Sequence, residues 1–172
     1  PRIEQLWFAG MHANVGGGYP KDQMAHISLD WMMEKAAAAG LVFDKALRDT
    51  YKSVADPHGK IYDSRAGLGA YYRYRPRNIE KICDENGIKT PRIHASAIDR
   101  IGARIADYGP VNLPPRFTIE GSAGADPEKA ELALDEGTRK QLEIGQINSW
   151  WLRVLYYAFL ASTLSVFLAE WY

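Results

Sequence analysis

The spacing of hydrophobic residues changes along the chain, and the first two patterns predict a strand and then a helix. Residues 5–9 are mostly apolar or aromatic and lack helical periodicity, which predicts a buried parallel strand that ends at Gly10. Between residues 27 and 39 the apolar positions recur at helical spacing, and Gly40 follows as a C-terminal stop. The chain therefore opens with a strand followed by a helix, as in an α/β domain.

Further helices are predicted where a capping residue precedes a periodic stretch. Asp44 precedes a short helical stretch that reaches residue 51, and Ser96 precedes an apolar stripe at residues 98, 101 and 105. A cap followed by proline at residues 126–127 starts a charged helix over residues 128–146. The small residues at 121–125 stand before that helix and predict a domain boundary.

The last part of the chain has the pattern of a membrane-spanning helix. Residues 154–169 contain no charged side chain. As a helix, residues 150–172 extend about 34 Å at ~1.5 Å per residue, enough for a hydrocarbon core of about 30 Å. A buried helix of a soluble domain is the alternative, but aromatic residues flank both ends, as they do in transmembrane helices: Trp150, Trp151, Trp171 and Tyr172.

The composition argues against several classes of function. Lys plus Arg and Asp plus Glu each total 21, so no overall charge attracts nucleic acid. The 4 histidines lack the spacing of metal ligands, and neither a metal nor a cofactor is expected. The single cysteine, Cys83, excludes an internal disulfide. Because the chain starts at Pro1, directly before a strand, we expect it to be part of a longer protein.

His12 is the first candidate for chemistry, because it follows the predicted strand and its glycine turn. Open α/β sheets place their sites beyond the carboxyl ends of strands. The three glycines at residues 16–18 leave backbone N–H groups beside the imidazole. A hydrogen-bonded structural histidine is the alternative interpretation.

A second candidate is the segment 60–77, which contains four tyrosines and four arginines. Guanidinium groups bind phosphate bidentately and aromatic rings support cations, so the segment predicts contacts with a phosphate headgroup. An arm that lies across the domain is the structural alternative and the one we favour. The headgroup contacts expected in this segment are Arg65, Tyr72, Arg73 and Arg75.

The motif Gly-x-His-x-Asp/Asn-Val-Gly-Gly-Gly-Tyr occupies residues 10–19, with shorter motifs at 28–32, 62–65 and 71–74. Together they resemble the family of α/β-hydrolases that includes type VI secretion phospholipase effectors. The resemblance implies that His12 is the histidine of a catalytic triad. It also implies that the nucleophilic serine, in a Gly-x-Ser-x-Gly elbow, and the acid lie upstream in the same chain. The loop that carries the histidine would be shaped by Asn14, Gly16, Gly17, Gly18 and Tyr19.

These patterns predict three regions. Residues 1–120 are expected to be the C-terminal part of an α/β-hydrolase domain, mostly helical with few strands. Residues 121–149 are expected to form a linker with an amphipathic helix, and residues 150–172 a transmembrane helix.

The resemblance implies a serine-type ester hydrolase that acts on lipid or phospholipid, with the membrane as a partner. A non-catalytic, membrane-anchored binding or scaffold protein on a hydrolase-like fold is the alternative. Basic residues on the amino-terminal side of the uncharged stretch predict that this side is cytoplasmic: Arg139, Lys140 and Arg153. The expected location is therefore a bacterial inner membrane, with the hydrolase region on the cytoplasmic side. A secreted effector is the alternative location.

Overall fold

The computed structural model describes residues 3–63, 76–105, 108–121 and 136–170. Within these ranges the chain forms six helices and two short strands and is mostly helical. In chain order they are α1 (His12–Gly16), α2 (Gln23–Ala38), α3 (Lys45–Ser53), α4 (Ile79–Glu85), β1 (Arg92–His94), α5 (Ala95–Gly102), β2 (Thr118–Glu120) and α6 (Glu136–Glu170).

The two strands form a small parallel sheet, in which Ile93 of β1 pairs with Ile119 of β2. A parallel pair needs a crossover connection, and α5 lies in the chain between the two strands. On the other side of β1, Trp7 makes a parallel bridge to Ile93. The Trp7 carbonyl accepts from the His94 backbone N–H at 2.8 Å. The strand predicted at residues 5–9 is thus present as one parallel bridge, and the chain turns away at Gly10.

The core lies where this sheet meets α2 and α5. Its buried members come from every layer: Ala9, Met24, Ile93, Ala97 and Phe117. The apolar stripe of α5 points inward, and Ile101 is fully buried. The segment at residues 5–9, called the Trp7 segment, runs parallel to β1 and β2. The packing holds the carboxyl ends of all three at one edge of the sheet.

Of two predicted helix starts, that of α3 agrees with the structure and that of α5 differs from it. α3 begins after Asp44, whose side chain accepts from the Leu47 N–H at 2.9 Å, as the capping rule predicts. α5 begins one residue before Ser96, and its cap is His94. The assignment of Ser96 as the cap was wrong, because the His94 Nδ1 atom accepts from the Ser96 N–H at 3.2 Å and takes that role.

α6 extends through both of the C-terminal regions that the sequence predicts as separate, residues 121–149 and 150–172. The helix is continuous from Glu136 to Glu170, without a break at residue 150. By length and composition it is able to cross a membrane, and the most apolar window, with a mean hydropathy of 1.6, is 0% buried. Thr138 and Gly145, near its amino-terminal end, are buried against the rest of the chain.

Candidate active site around His12

His12 is exposed and is the first residue of α1, directly after the turn that ends the Trp7 segment. Gly10 makes this turn with φ +104°, a conformation that residues with a side chain rarely adopt. A Cβ atom at Gly10 would lie 2.5 Å from the Cβ of Asn14, so no larger residue fits there. The sequence predicts a loop at residues 12–16, whereas the structure has one turn of helix. Among the described residues, no carboxylate pairs with the imidazole of His12.

Asn14 fixes α1 to a segment 48 positions further along the chain. The side chain is 4% exposed. Its Nδ2 donates to the Tyr62 carbonyl at 3.1 Å, and its Oδ1 accepts from the Tyr62 N–H at 3.0 Å. The amide thus forms two hydrogen bonds with the Tyr62 main chain. They fix the position of the turn two residues after His12.

The three glycines lie at the end of α1, which packs against α2. Gly17 and Gly18 adopt φ values of +86° and +109°, where a side chain would add strain. The hydroxyl of Ser28 in α2 hydrogen-bonds the Val15 carbonyl, and α1 and α2 pack together. Tyr19 then stacks on the ring of Tyr62, with the ring centroids 4.2 Å apart.

Tyr108 packs against the core and was not singled out by the sequence. Burial raises the pKa of its hydroxyl, and the Arg100 guanidinium and the main chain of Gly10 oppose that shift. The guanidinium of Arg100 lies 5.5 Å from the centre of the Tyr108 ring. Arg100 is 2% exposed and donates to the carbonyls of Pro57 and Gly59, each at 2.7 Å. Nothing in the local sequence pattern predicts the two carbonyl contacts of Arg100, which join residues more than 40 positions apart.

A second histidine lies at the same edge of the sheet. His94 ends β1 and stacks on Phe8, with ring centroids 4.9 Å apart. Burial lowers the pKa of His94, and the nearby carboxylate of Glu120 opposes that shift. The Ser96 hydroxyl lies 2.8 Å from the His94 Nδ1 atom, but the same nitrogen accepts the N–H that starts α5. This serine–histidine pair therefore serves as a helix cap.

An open groove of about 420 Å³ lies beside His94, between α2, α3 and the end of the sheet. Trp31 lines it and donates to Glu120 at 3.2 Å. Its carboxylates and ammonium groups are largely paired with one another, as in the contact of 3.0 Å between Asp30 and Lys52. The groove has polar walls whose charges are already compensated.

The predicted headgroup contacts lie outside the described residues, and the headgroup prediction stays a prediction. They are Arg65, Tyr72, Arg73 and Arg75. The described residues just before them, Lys60 and Tyr62, lie next to the His12 turn. Lys60 Nζ lies 4.5 Å from the centre of the Tyr62 ring, which itself stacks on Tyr19. In the described part of the chain, no group of three or more His, Cys, Asp or Glu residues is arranged to hold a metal ion.

A comparison with protein families finds a match at the start of the chain. Residues 1–35 match the family model described as "T6SS, Phospholipase effector Tle1-like, catalytic domain". The match spans the His12 turn and most of α2, and it supports the effector family that the motifs resemble. It suggests a phospholipase-like hydrolase. No curated protein and no solved structure matches the chain.

Proposed function

We propose that this chain supplies the general base of a serine-type ester hydrolase that cleaves lipid or phospholipid. The observation that carries the proposal is the exposed imidazole of His12, held on a fixed turn beyond the end of a parallel segment, within the part of the chain that matches a phospholipase effector family. In this role His12 takes the proton from the serine hydroxyl and returns it to the leaving alcohol. The serine and the orienting carboxylate come from an upstream part of the same protein, on an α/β-hydrolase fold.

The surroundings of His12 suit this role. A general base must stay accessible to substrate while its backbone is held still. The imidazole is exposed, while the hydrogen bonds of Asn14 and the Tyr19–Tyr62 stack fix the turn to Tyr62. The proposed role requires a carboxylate from elsewhere in the protein to pair with this ring.

A histidine with a comparable exposure provides the control for this proposal. In the full-length protein, we expect His12→Ala to lower kcat for a fluorogenic ester by a factor on the order of 10⁶, as loss of a triad histidine does. His58→Ala removes another exposed imidazole, which lies 3.4 Å from Asp99, and should leave kcat unchanged. Equal turnover by the His12 variant and the parent protein would remove His12 from the mechanism.

The chain of 172 residues is expected to be inactive by itself, because the nucleophile lies elsewhere. Ester turnover by this purified chain would contradict the proposal. A non-catalytic scaffold remains the second candidate, since no carboxylate of the described residues pairs with His12. An upstream Gly-x-Ser-x-Gly elbow supports the enzyme, and its loss supports the scaffold.

We also propose that α6 anchors the hydrolase to a membrane. Large apolar side chains all along its second half face solvent, including Leu155 at 62% and Phe167 at 69% exposure. Trp150 and Trp151, both more than half exposed, stand where an interfacial belt is expected. The family match suggests a secreted or translocated protein, which favours the effector alternative over a resident inner-membrane enzyme. Flotation with phospholipid vesicles tests the anchor, and a protein that stays at the bottom of the gradient contradicts it.

A further inference from the structure

The Trp7 segment has one hydrogen-bonded edge and one open edge. The Trp7 N–H donates to the Arg92 carbonyl at 2.9 Å, and the Trp7 carbonyl accepts from the His94 N–H at 2.8 Å. Because consecutive residues of an extended chain direct their main-chain groups to opposite sides, those of Leu6 and Phe8 point away from β1. Within the described part of the chain, neither residue has a main-chain hydrogen bond.

Both faces of the Trp7 segment are covered by helices. On one face the ring of Phe8 meets the ring of Trp31 in α2, with centroids 5.9 Å apart. On the other face the Cys83 thiol of α4 lies 3.7 Å from the Gln5 side-chain oxygen. Cover on both faces is typical of a strand inside a parallel sheet, where a neighbouring strand lies along each edge.

The open edge lacks the devices that protect natural edge strands. Such strands are usually kept apart from other chains by charged side chains, proline or a bulge. Residues 5–9 contain no charged residue and no proline. The adjacent carboxylate, of Glu4, is already paired with Lys35 and Arg92, each at 2.7 Å. The edge is therefore suited to accept a further, largely apolar strand.

We propose that this open edge is a docking surface for one parallel strand of the part of the protein that precedes Pro1. The choice of this occupant rests on the proposed function, which places the nucleophilic serine in that part. His12 follows the Trp7 segment directly after the Gly10 turn, and open α/β sheets form their sites beyond the carboxyl ends of neighbouring strands. A strand added here in parallel ends on the same side of the sheet as His12.

Amide hydrogen exchange in the full-length protein, resolved to single residues, tests whether the edge is paired. The N–H of Trp7 is the internal reference, since it is bonded to the Arg92 carbonyl. We expect the N–H groups of Leu6 and Phe8 to exchange roughly 100-fold or more slowly than unprotected amides, close to the rate of Trp7. Exchange of both at the unprotected rate, with Trp7 still protected, overturns the proposal.

A photoreactive side chain at Ile3 identifies the occupant. Ile3 stands just before the Trp7 segment and is 69% exposed, so p-benzoylphenylalanine replaces it without loss of core packing. Val42, between α2 and α3 and 95% exposed, carries the same group in the control variant.

Irradiation of the full-length, monomeric Ile3 variant should give a cross-link to residues that precede Pro1. A cross-link to a second copy, or one confined to residues after Pro1 of the same copy, overturns the proposal. The same product in equal yield from the Val42 variant overturns it as well, because the contact would then not be specific to the edge.

These outcomes are separable from that of the proposed function. If His12→Ala keeps wild-type turnover, the proposed function fails, while protected Leu6 and Phe8 amides and the Ile3 cross-link still establish the docking surface. If His12→Ala is inactive and the edge is open, the hydrolase stands and only the docking surface is refuted.

Discussion

Asn14→Asp is the sharpest perturbation of the His12 turn, because it exchanges one atom of a buried side chain. The carboxyl group keeps an acceptor for the Tyr62 N–H but loses the donor that now binds the Tyr62 carbonyl at 3.1 Å. At neutral pH that carbonyl would face a charged oxygen in a site where the side chain is 4% exposed. A buried group left without its partner costs about 1–3 kcal/mol, and the charge on the new carboxylate adds to this.

The destabilisation by Asn14→Asp should depend on pH in a defined direction. The protonated carboxyl group donates to the Tyr62 carbonyl and the ionised one does not, so the folded state raises the pKa of the new group above its unfolded value of about 3.9. The contribution of the new carboxyl group to the free energy of unfolding is therefore complete below its unfolded pKa. It is lost as the pH rises through its folded pKa.

Urea unfolding of the full chain in mild detergent, followed by tryptophan fluorescence at pH 5 and pH 7.5, measures the difference. Asn14→Leu is the control, since it loses both hydrogen bonds and carries no titratable group. It should be destabilised by a similar amount at both pH values. Equal stability of Asn14→Asp and the parent protein at pH 7.5 would show that the amide does not hold the turn.

Three further predictions concern stability and are measured in the same way. Gly10→Ala should be more destabilising than Gly18→Ala by about 1–3 kcal/mol, because both sites have positive φ but only the first would place its Cβ 2.5 Å from another side-chain carbon. Arg100→Met should cost about 1–3 kcal/mol by leaving two backbone carbonyls without donors, whereas exposed Arg104→Met should be near neutral. Burial lowers the pKa of His94 from 6.5, so its contribution to stability is present above that value and is lost as pH falls below it. His94→Asn keeps a capping acceptor and should abolish this dependence; an unchanged pH profile would contradict the assignment.

Elements with strong local signals were predictable from the sequence. α2 has helical spacing and a following glycine, and it was predicted although it begins at Gln23, earlier than residue 27. α3 has the Asp44 cap that its sequence indicates. In both cases residues close in the sequence determine the helix, so a short stretch of sequence is enough to predict it.

Elements that depend on distant partners were not predictable in this way. β1 and β2 are three residues each, too short for an alternating pattern to be distinct. α1 contains one glycine and one β-branched residue, both weak helix formers, and it is held by Tyr62, which is 48 positions away from Asn14. The sequence therefore indicated His12, its glycines, Asn14 and Tyr19 as candidates, whereas the contacts of Asn14 and Tyr19 with Tyr62 became visible only in the fold.

The unbroken course of α6 has a consequence for how the enzyme would meet its substrate. From the docking point at Gly145 to the start of the uncharged stretch at residue 154, the helix rises roughly 14 Å at ~1.5 Å per residue. If the proposed anchor is correct, a stiff helix of that length, unlike a flexible tether, would keep the His12 turn at a nearly constant height above the bilayer. The proposed hydrolase would then search for substrate in two dimensions, limited by lateral diffusion of lipids beneath the protein.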